Sequence, residues 1–333
     1  MNLKENSLNE LKAFRIFNEA GGKFRLAITE RCNLDCFFCH NEGQKKPGVV
    51  EGENLGLLEL VEVANAFTDL GGKQLNITGG EPLLWKNIHP FLDSIEKRNT
   101  KIFLNTNATQ VDKFLEKPKS EVVDGILASL HTTDNKIFQE ELKGKTIQGV
   151  MKNILRLKEK AYSVFINCSI GEYNQTEFLS ILSFCLKYEL HLKVISIIRH
   201  NTAKNFYKGV WMGPEHLKTI LLNEGAVLFV EKDSFGGKKA LYKLNNSDIE
   251  IKDVSKGSLR TDYCRACSYD KLCGEGIYGL RFGNDGIWKP CLLRKEEYQR
   301  RDLNLSYREQ ILQQIQRMIG VWENAYFSMG EPL

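Results

Sequence analysis

Between residues 24 and 198, short β-rich apolar runs alternate with stretches of helical period. The runs cover 24–29, 75–78, 102–105, 125–130, 164–169 and 192–198. Between the first two, Leu57, Leu60, Val61, Ala64 and Phe67 recur at the 3.6-residue spacing of a helix, and Gly71-Gly72 follows as a stop. A second helix is predicted over 147–160, with Val150, Ile154 and Leu157 on one stripe. A third is predicted over 177–188, with Thr176 as its N-cap. Six β/α alternations predict an α/β fold of parallel strands with right-handed helical crossovers, in a sheet that stays open or curls toward a barrel. In either form the reactive groups belong at the C-terminal ends of the strands. After residue 199 the alternation stops. A segment richer in Lys, Asn and Gly leads to a helix over 306–322, where Ile311, Ile315, Met318 and Ile319 share a face.

Three features fall at strand C-termini and so on one face. Cys32, Cys36 and Cys39 follow the first strand as CxxxCxxC, Gly79-Gly80-Glu81-Pro82 follows the second, and Asn105-Thr106-Asn107 ends the third. Three thiolates hold three irons of a [4Fe–4S] cluster and leave the fourth iron open to an outside ligand. A zinc site needs a fourth ligand, and His40 is adjacent to Cys39, too close for the usual tetrahedral spacing. Alone, Gly-Gly before Pro reads as a turn. Beside three cysteines, its backbone groups and Glu81 could receive the ammonium and carboxylate of an amino-acid moiety. Phe38 would shield a cluster from water, or would simply be a core phenylalanine.

These motifs, Thr29-Glu30-Arg31-Cys32 onward with Thr78-Gly79-Gly80-Glu81-Pro82-Leu83-Leu84, resemble the radical S-adenosylmethionine (SAM) superfamily. Within it the chain resembles the MoaA-like group of GTP 3′,8-cyclases. Matching stretches continue at Asn105-Thr106-Asn107, Ser129-Leu130-His131, Ile166-Asn167-Cys168 and Asp285-Gly286-Ile287-Trp288-Lys289-Pro290-Cys291. The resemblance implies a partial (β/α)6 barrel over 23–200, preceded by an extension over 1–22 and followed by a C-terminal auxiliary iron–sulfur domain over 201–333. It implies SAM as cofactor, bound by Gly79, Gly80, Glu81, Asn105, Thr106 and Ser129. The activity it implies is reductive SAM cleavage followed by hydrogen abstraction, fed by a reductase or flavodoxin-type electron donor.

A second cysteine group, Cys264, Cys267, Cys273 and Cys291, also has metal-ligand spacing. Spacing alone fits a four-cysteine zinc site as well as a cluster. Next to a first cluster the expectation is a second [4Fe–4S] cluster. The cyclase group carries three cysteines there, matching Cys264, Cys267 and Cys291. Cys273 is extra, and the spacing looks like a SPASM or Twitch auxiliary domain. If Cys273 ligates, the second cluster is closed and serves electron transfer.

The substrate is the point at which the pattern departs from the cyclases. Arg25 and Arg281 match basic substrate-binding positions of that group. Phe165 stands where the family has lysine, Gln74 and Asn76 are neutral where it is more basic, and Gly279 replaces an arginine. The expectation is therefore a MoaA-like enzyme that does not act on GTP. A nucleotide-like small molecule or a peptide would be its substrate; GTP cyclisation, SPASM/Twitch-type peptide maturation and non-catalytic electron carriage are the alternatives.

Composition narrows this little further. Forty-six basic against 42 acidic side chains leave a net +4, too little to predict nucleic acid as partner. No run is long and apolar enough for a membrane span, and the start lacks a signal-peptide core, so a cytoplasmic location is expected. Cys168 and Cys185 read as buried thiols, with hydrogen-atom donation as a second option for Cys168. His131 reads equally as a site residue or a polar strand end. Arg300-Arg301 and Lys158-Glu159-Lys160 read as solvated faces.

Overall fold

The computed structural model describes residues 3–39, 54–197, 213–234, 237–253, 258–260, 279–291, 297–319 and 326–328, with 264, 267 and 294. Six parallel strands stand side by side in chain order: β1 (Lys23–Ala27), β2 (Gln74–Thr78), β3 (Lys101–Thr106), β4 (Gly125–Ser129), β5 (Val164–Ile170) and β6 (His191–Ser196). Helices α2 (Leu57–Asp69), α3 (Ile88–Asp93), α4 (Asp112–Leu115), α5 (Asn135–Leu142), α6 (Ile147–Glu159) and α7 (Phe178–Lys187) occupy the crossovers, as the alternation predicts.

Local chemistry sets the ends of these elements. α2 stops because Gly71 adopts φ +80°, and a Cβ at Gly72 would lie 2.2 Å from the Phe67 ring. Asp134 caps α5 by accepting from the amides of Lys136 and Ile137 at 2.6 and 3.1 Å. The predicted stripe of α6 is the buried one: Val150, Ile154 and Leu157. Thr176 is not the cap of α7. It lies in a 3-10 turn over Glu172–Glu177, and the helix starts after Glu177. The Glu177 carboxylate is drawn to the loop after β4, where Thr132, Thr133 and the amide of Asp134 donate to it.

The C-terminal third joins the sheet at both edges. Beyond β6 come α8 (Gly213–Asn223) and the strands β7 (Val227–Ser234), β8 (Gly237–Leu244) and β9 (Ser247–Asp253). β9 runs parallel to β6, and β8 and β7 follow as antiparallel partners. β10 (Ser258–Arg260) pairs with the later β14 (Tyr326–Ser328) as a separate ribbon. β11 (Gly279–Gly283) lies parallel to β1 on the other edge, and β12 (Ile287–Trp288) and β13 (Gln299–Arg300) continue outward. The last helix, α9 (Tyr307–Ile319), buries the predicted face of Ile311, Ile315, Met318 and Ile319. Its first turn is held by Ser306 and Glu309, which cap each other.

Helix α1 (Leu3–Glu19), absent from the sequence reading, packs against α9 and buries Ala13, Phe14 and Phe17, with Phe14 edge-on to Phe67 of α2. Arg301 is also not on a solvated face. Its guanidinium bonds Glu59 of α2 and the Tyr307 hydroxyl, tying the C-terminal region to the first crossover helix.

Candidate active site

The cysteine loop leaves β1 alongside the turn that leaves β2. Beyond the strand ends, the amides of Ile28, Gly80 and Glu81 donate to the carbonyls of Thr78, Thr29 and Arg31 at 2.9, 2.7 and 2.7 Å. So close an approach excludes side chains at two positions. Gly79, at φ +150°, would place a Cβ 2.5 Å from the Thr29 carbonyl oxygen, and Gly80 would place one 2.3 Å from that of Arg31. The far side of the loop is held by α5, whose Leu142 and Glu141 carbonyls accept from the amides of Asp35 and Phe37.

Glu81 is fully buried and turns inward. Its carboxylate accepts from the Thr106 hydroxyl at 2.7 Å, the Asn107 amide at 2.6 Å and the Leu83 amide at 3.0 Å. Burial still dominates and pushes its carboxyl up to about 7. The Asn107 side chain reaches both Asn33 and, at 3.8 Å, the Cys32 sulfur. Turn, third strand and cysteine loop thus form one hydrogen-bonded unit.

A cavity of about 290 Å³ opens at these strand ends. Arg25, Cys32, Cys36, Cys39, Gly79, Gly80, Glu81, Asn105, Thr106 and Ser129 all line it, so ten positions singled out from the sequence share one wall. Arg281 does not. It is buried on β11 beside Arg25, donating to the Gly279 carbonyl at 3.2 Å. Cys264, Cys267 and Cys291 are half-buried elsewhere, and Cys273 lies outside the described residues. The described cysteines form no disulfide.

The thiols of the first loop suit a cluster. Burial, reinforced by Cys39, Cys32 and Asp35, pushes the Cys36 thiol far up, and burial raises Cys32 too. Gathered thiolates here need a compensating cation, which iron supplies. Among the described residues, no three His, Cys, Asp or Glu side chains converge tightly enough to hold a single metal ion.

Alternation along the strands separates cavity from core. On β5, Asn167 and Ser169 line the cavity, whereas Cys168 points to the helix side and is fully buried next to Cys185 of α7. That placement removes Cys168 as a hydrogen donor to a substrate in this cavity. His131 is on the cavity wall.

The sequence reading missed the contribution of the β8–β9 hairpin. Lys252 of β9 lines the cavity. Glu250 forms ion pairs with Lys193 at 3.4 Å and Lys239 at 3.5 Å. Burial would raise the Glu250 carboxyl, but Lys193, Lys239 and Lys23 outweigh it and hold it low. Lys23 itself is held well below the usual lysine range by burial, then by Lys193 and Lys239. The signal was present in Ser247–Asp253, where Ile249 and Ile251 alternate with Asp248, Glu250 and Lys252.

Residues 26–185 match the radical SAM superfamily. The barrel is a radical SAM domain. The chain is accordingly an enzyme of reductive SAM cleavage, with SAM and a [4Fe–4S] cluster as its cofactors. A probable GTP 3′,8-cyclase of Methanococcus maripaludis (strain C6) is 28% identical over 275 residues, which cover 82% of this chain and 85% of that one. A probable GTP 3′,8-cyclase of Archaeoglobus fulgidus is 26% identical, with coverage of 82% and 86%. Among solved structures, Streptococcus suis SuiB bound to SAM superposes with a TM-score of 0.62 at 15% identity, covering 90% of this chain and 68% of SuiB. That last likeness is one of fold. Among the described residues, no helix is long and apolar enough to cross a membrane.

Proposed function

We propose that this enzyme directs its radical at an anionic small molecule, a nucleotide, whose charged group enters the basic interior of the barrel. When bound, cluster and SAM together supply a 5′-deoxyadenosyl radical, the hydrogen-abstracting species of such enzymes. Cys32, Cys36 and Cys39 would hold the cluster. Gly79, Gly80, Glu81, Asn105, Thr106 and Ser129 would hold SAM. Arg25 would bind substrate, with Arg281 buried beside it on β11 rather than on the cavity wall.

One observation carries the substrate reading: Lys23, Lys193 and Lys239 surround the single carboxylate of Glu250, with Arg25 and Lys252 on the cavity wall beside them. The Lys193 and Lys239 ammonium groups against one carboxylate leave this part of the barrel positive, and an incoming anion would be stabilised there. This arrangement supports GTP against the sequence-based expectation. Phe165 does replace a lysine, and its ring stacks on His191 at 5.3 Å. Cations on β6, β8 and β9 nevertheless stand in the same interior. The names of the curated relatives favour GTP itself.

The reading extends to a second [4Fe–4S] cluster on Cys264, Cys267 and Cys291, with Cys273 as a possible fourth ligand, and to a reductase or flavodoxin-type donor. A peptide substrate is the second reading, since Streptococcus suis SuiB, alike in fold, has been solved bound to its precursor peptide SuiA.

The test is anaerobic turnover of the reconstituted enzyme with GTP, the other nucleoside triphosphates and the matching nucleosides, reading 5′-deoxyadenosine and product. A nucleotide should be consumed, and Lys193→Met with Lys239→Met should raise its KM at least ~10-fold, since charge-assisted bonds are worth about 1.5–3 kcal/mol each. Equal turnover of nucleotide and nucleoside would refute the anionic reading.

A further inference from the structure

The carboxylate of Glu250 sits among the lysines proposed to receive the substrate's charge, and an anion at that place competes with the substrate. Glu250 on β9, Lys193 on β6 and Lys23 on β1 each stand two residues before a side chain that lines the cavity: Lys252, Ile195 and Arg25. Side chains two apart on a strand share a face, so these groups form a floor about 7 Å beneath that wall. Lys239 joins them from β8, where it is paired in register with Lys252.

The ion pairs on this floor are loose. Both ammonium groups face one oxygen, Glu250 Oε1, at 3.4 Å from Lys193 and 3.5 Å from Lys239. A formed N–H···O bond measures about 2.7–3.2 Å. Among the described residues this buried oxygen has no hydrogen-bond partner. Glu250 thus balances two cations by proximity, and the empty floor depends on that balance. Burial, then Lys193 and Lys239, hold the Lys23 amine low, and Arg25 adds to their effect; Glu250 is the charged neighbour that works against them.

We propose that Glu250 is a resident counter-anion in the substrate's anion seat, displaced from its lysines when the substrate's charged group arrives. The inference rests on the reading that the substrate brings an anion to this floor. Displacement is a fixed cost that every anion meets. A small anion such as orthophosphate has few contacts with which to offset it. A polyphosphate can bond both lysines at normal length and still reach Arg25 or Lys252 on the wall above. Glu250 would therefore act as a specificity determinant, keeping the seat clear of weak anions.

The test uses inorganic tripolyphosphate and orthophosphate as probes, titrated by calorimetry into full-length, anaerobically reconstituted enzyme saturated with SAM. Glu250→Gln keeps the shape of the side chain and removes its charge. We expect it to bind tripolyphosphate at least ~10-fold tighter than the parent and to bring orthophosphate into measurable range. Its Tm without anion should be lower, and tripolyphosphate should recover the difference. Lys239→Met in the same background should cancel the gain in affinity, which places the anion on this floor. A carboxylate that merely props the lysines gives the opposite sign, because the lysines would drift once it is gone. Unchanged or weaker tripolyphosphate binding in Glu250→Gln therefore overturns the proposal. Should that variant not fold, Glu250→Asp keeps the charge but withdraws it by one methylene; it should bind a few-fold tighter than the parent, and no gain there overturns the proposal equally. Nucleotide is absent throughout, so a tighter seat for tripolyphosphate without turnover of any nucleotide would retire the nucleotide reading alone.

Discussion

Replacing Gly80 by alanine tests how the cofactor turn and the cysteine loop depend on each other. The added Cβ would lie 2.3 Å from the Arg31 carbonyl oxygen, 2.5 Å from its carbon and 2.8 Å from the Glu30 oxygen. All three are backbone atoms, so no side chain can swing aside. Relief requires the turn and the loop to part by roughly 1 Å, as in other overpacked sites. The two 2.7 Å bonds from Gly80 to Thr29 and from Glu81 to Arg31 would then exceed hydrogen-bond range. Overpacking costs about 1–3 kcal/mol, and two lost bonds add about 0.5–1.5 kcal/mol each, so the site stands to lose about 2–6 kcal/mol. Cys32 directly follows Arg31, so the displacement falls on the first thiolate. Iron counting after anaerobic reconstitution and equilibrium SAM titration are the assays, with thermal unfolding alongside. We expect reduced iron at the N-terminal site and SAM affinity down at least ~10-fold, with Tm lower by several degrees at most. Gly56→Ala is the control, because its Cβ would meet only the Glu59 carboxylate at 4.0 Å. Parental iron content and SAM affinity in Gly80→Ala would refute the claim that this contact sets the loop.

Other consequences are simpler to state. Arg301→Met removes the bonds to Glu59 and Tyr307; it should cost about 1–2 kcal/mol in denaturant unfolding, modest because the pair is partly solvated, and should leave SAM affinity unchanged. Cys168→Ala should cost about 1 kcal/mol through the small cavity it leaves, while product forms as in the parent. Loss of product with 5′-deoxyadenosine still formed, in a folded, iron-replete protein, would return Cys168 to the reaction.

What the sequence made legible was local. Each parallel strand of the barrel is an apolar run buried on the helix side, and each cofactor motif directly follows a strand, so spacing along the chain carried the geometry. What stayed hidden was pairing at a distance. β9 joins β6 across some fifty residues and β11 joins β1 across some two hundred and fifty, and no periodicity reports either partner. Helix α1 was obscured differently. Its buried Ala13, Phe14 and Phe17 are confined to one end, while Leu8 and Leu11 stand 68% and 45% exposed and blur the stripe. Arg301 looked like solvent-facing charge because its partner, Glu59, is 242 residues earlier in the chain.

The same division bears on how the enzyme selects its substrate. Every residue proposed to hold SAM and its cluster lies at the end of β1 to β4 or directly after it, within the stretch that matches the superfamily. The cations that would read the substrate come mainly from strands outside the stretch matched to the superfamily: Lys193 on β6, Lys239 on β8 and Lys252 on β9. These strands can exchange one charged side chain for another without moving the cysteine loop, because their register is set by buried neighbours such as Ile249 and Ile251. Two or three such bonds, at about 1.5–3 kcal/mol each, already amount to a discrimination of several orders of magnitude. A lysine lost at Phe165 and regained further along the sheet at Lys193 and Lys239 would alter where an anion sits while preserving that an anion is bound. The position of the charge, rather than its presence, is therefore where this enzyme's selectivity would diverge from that of its relatives.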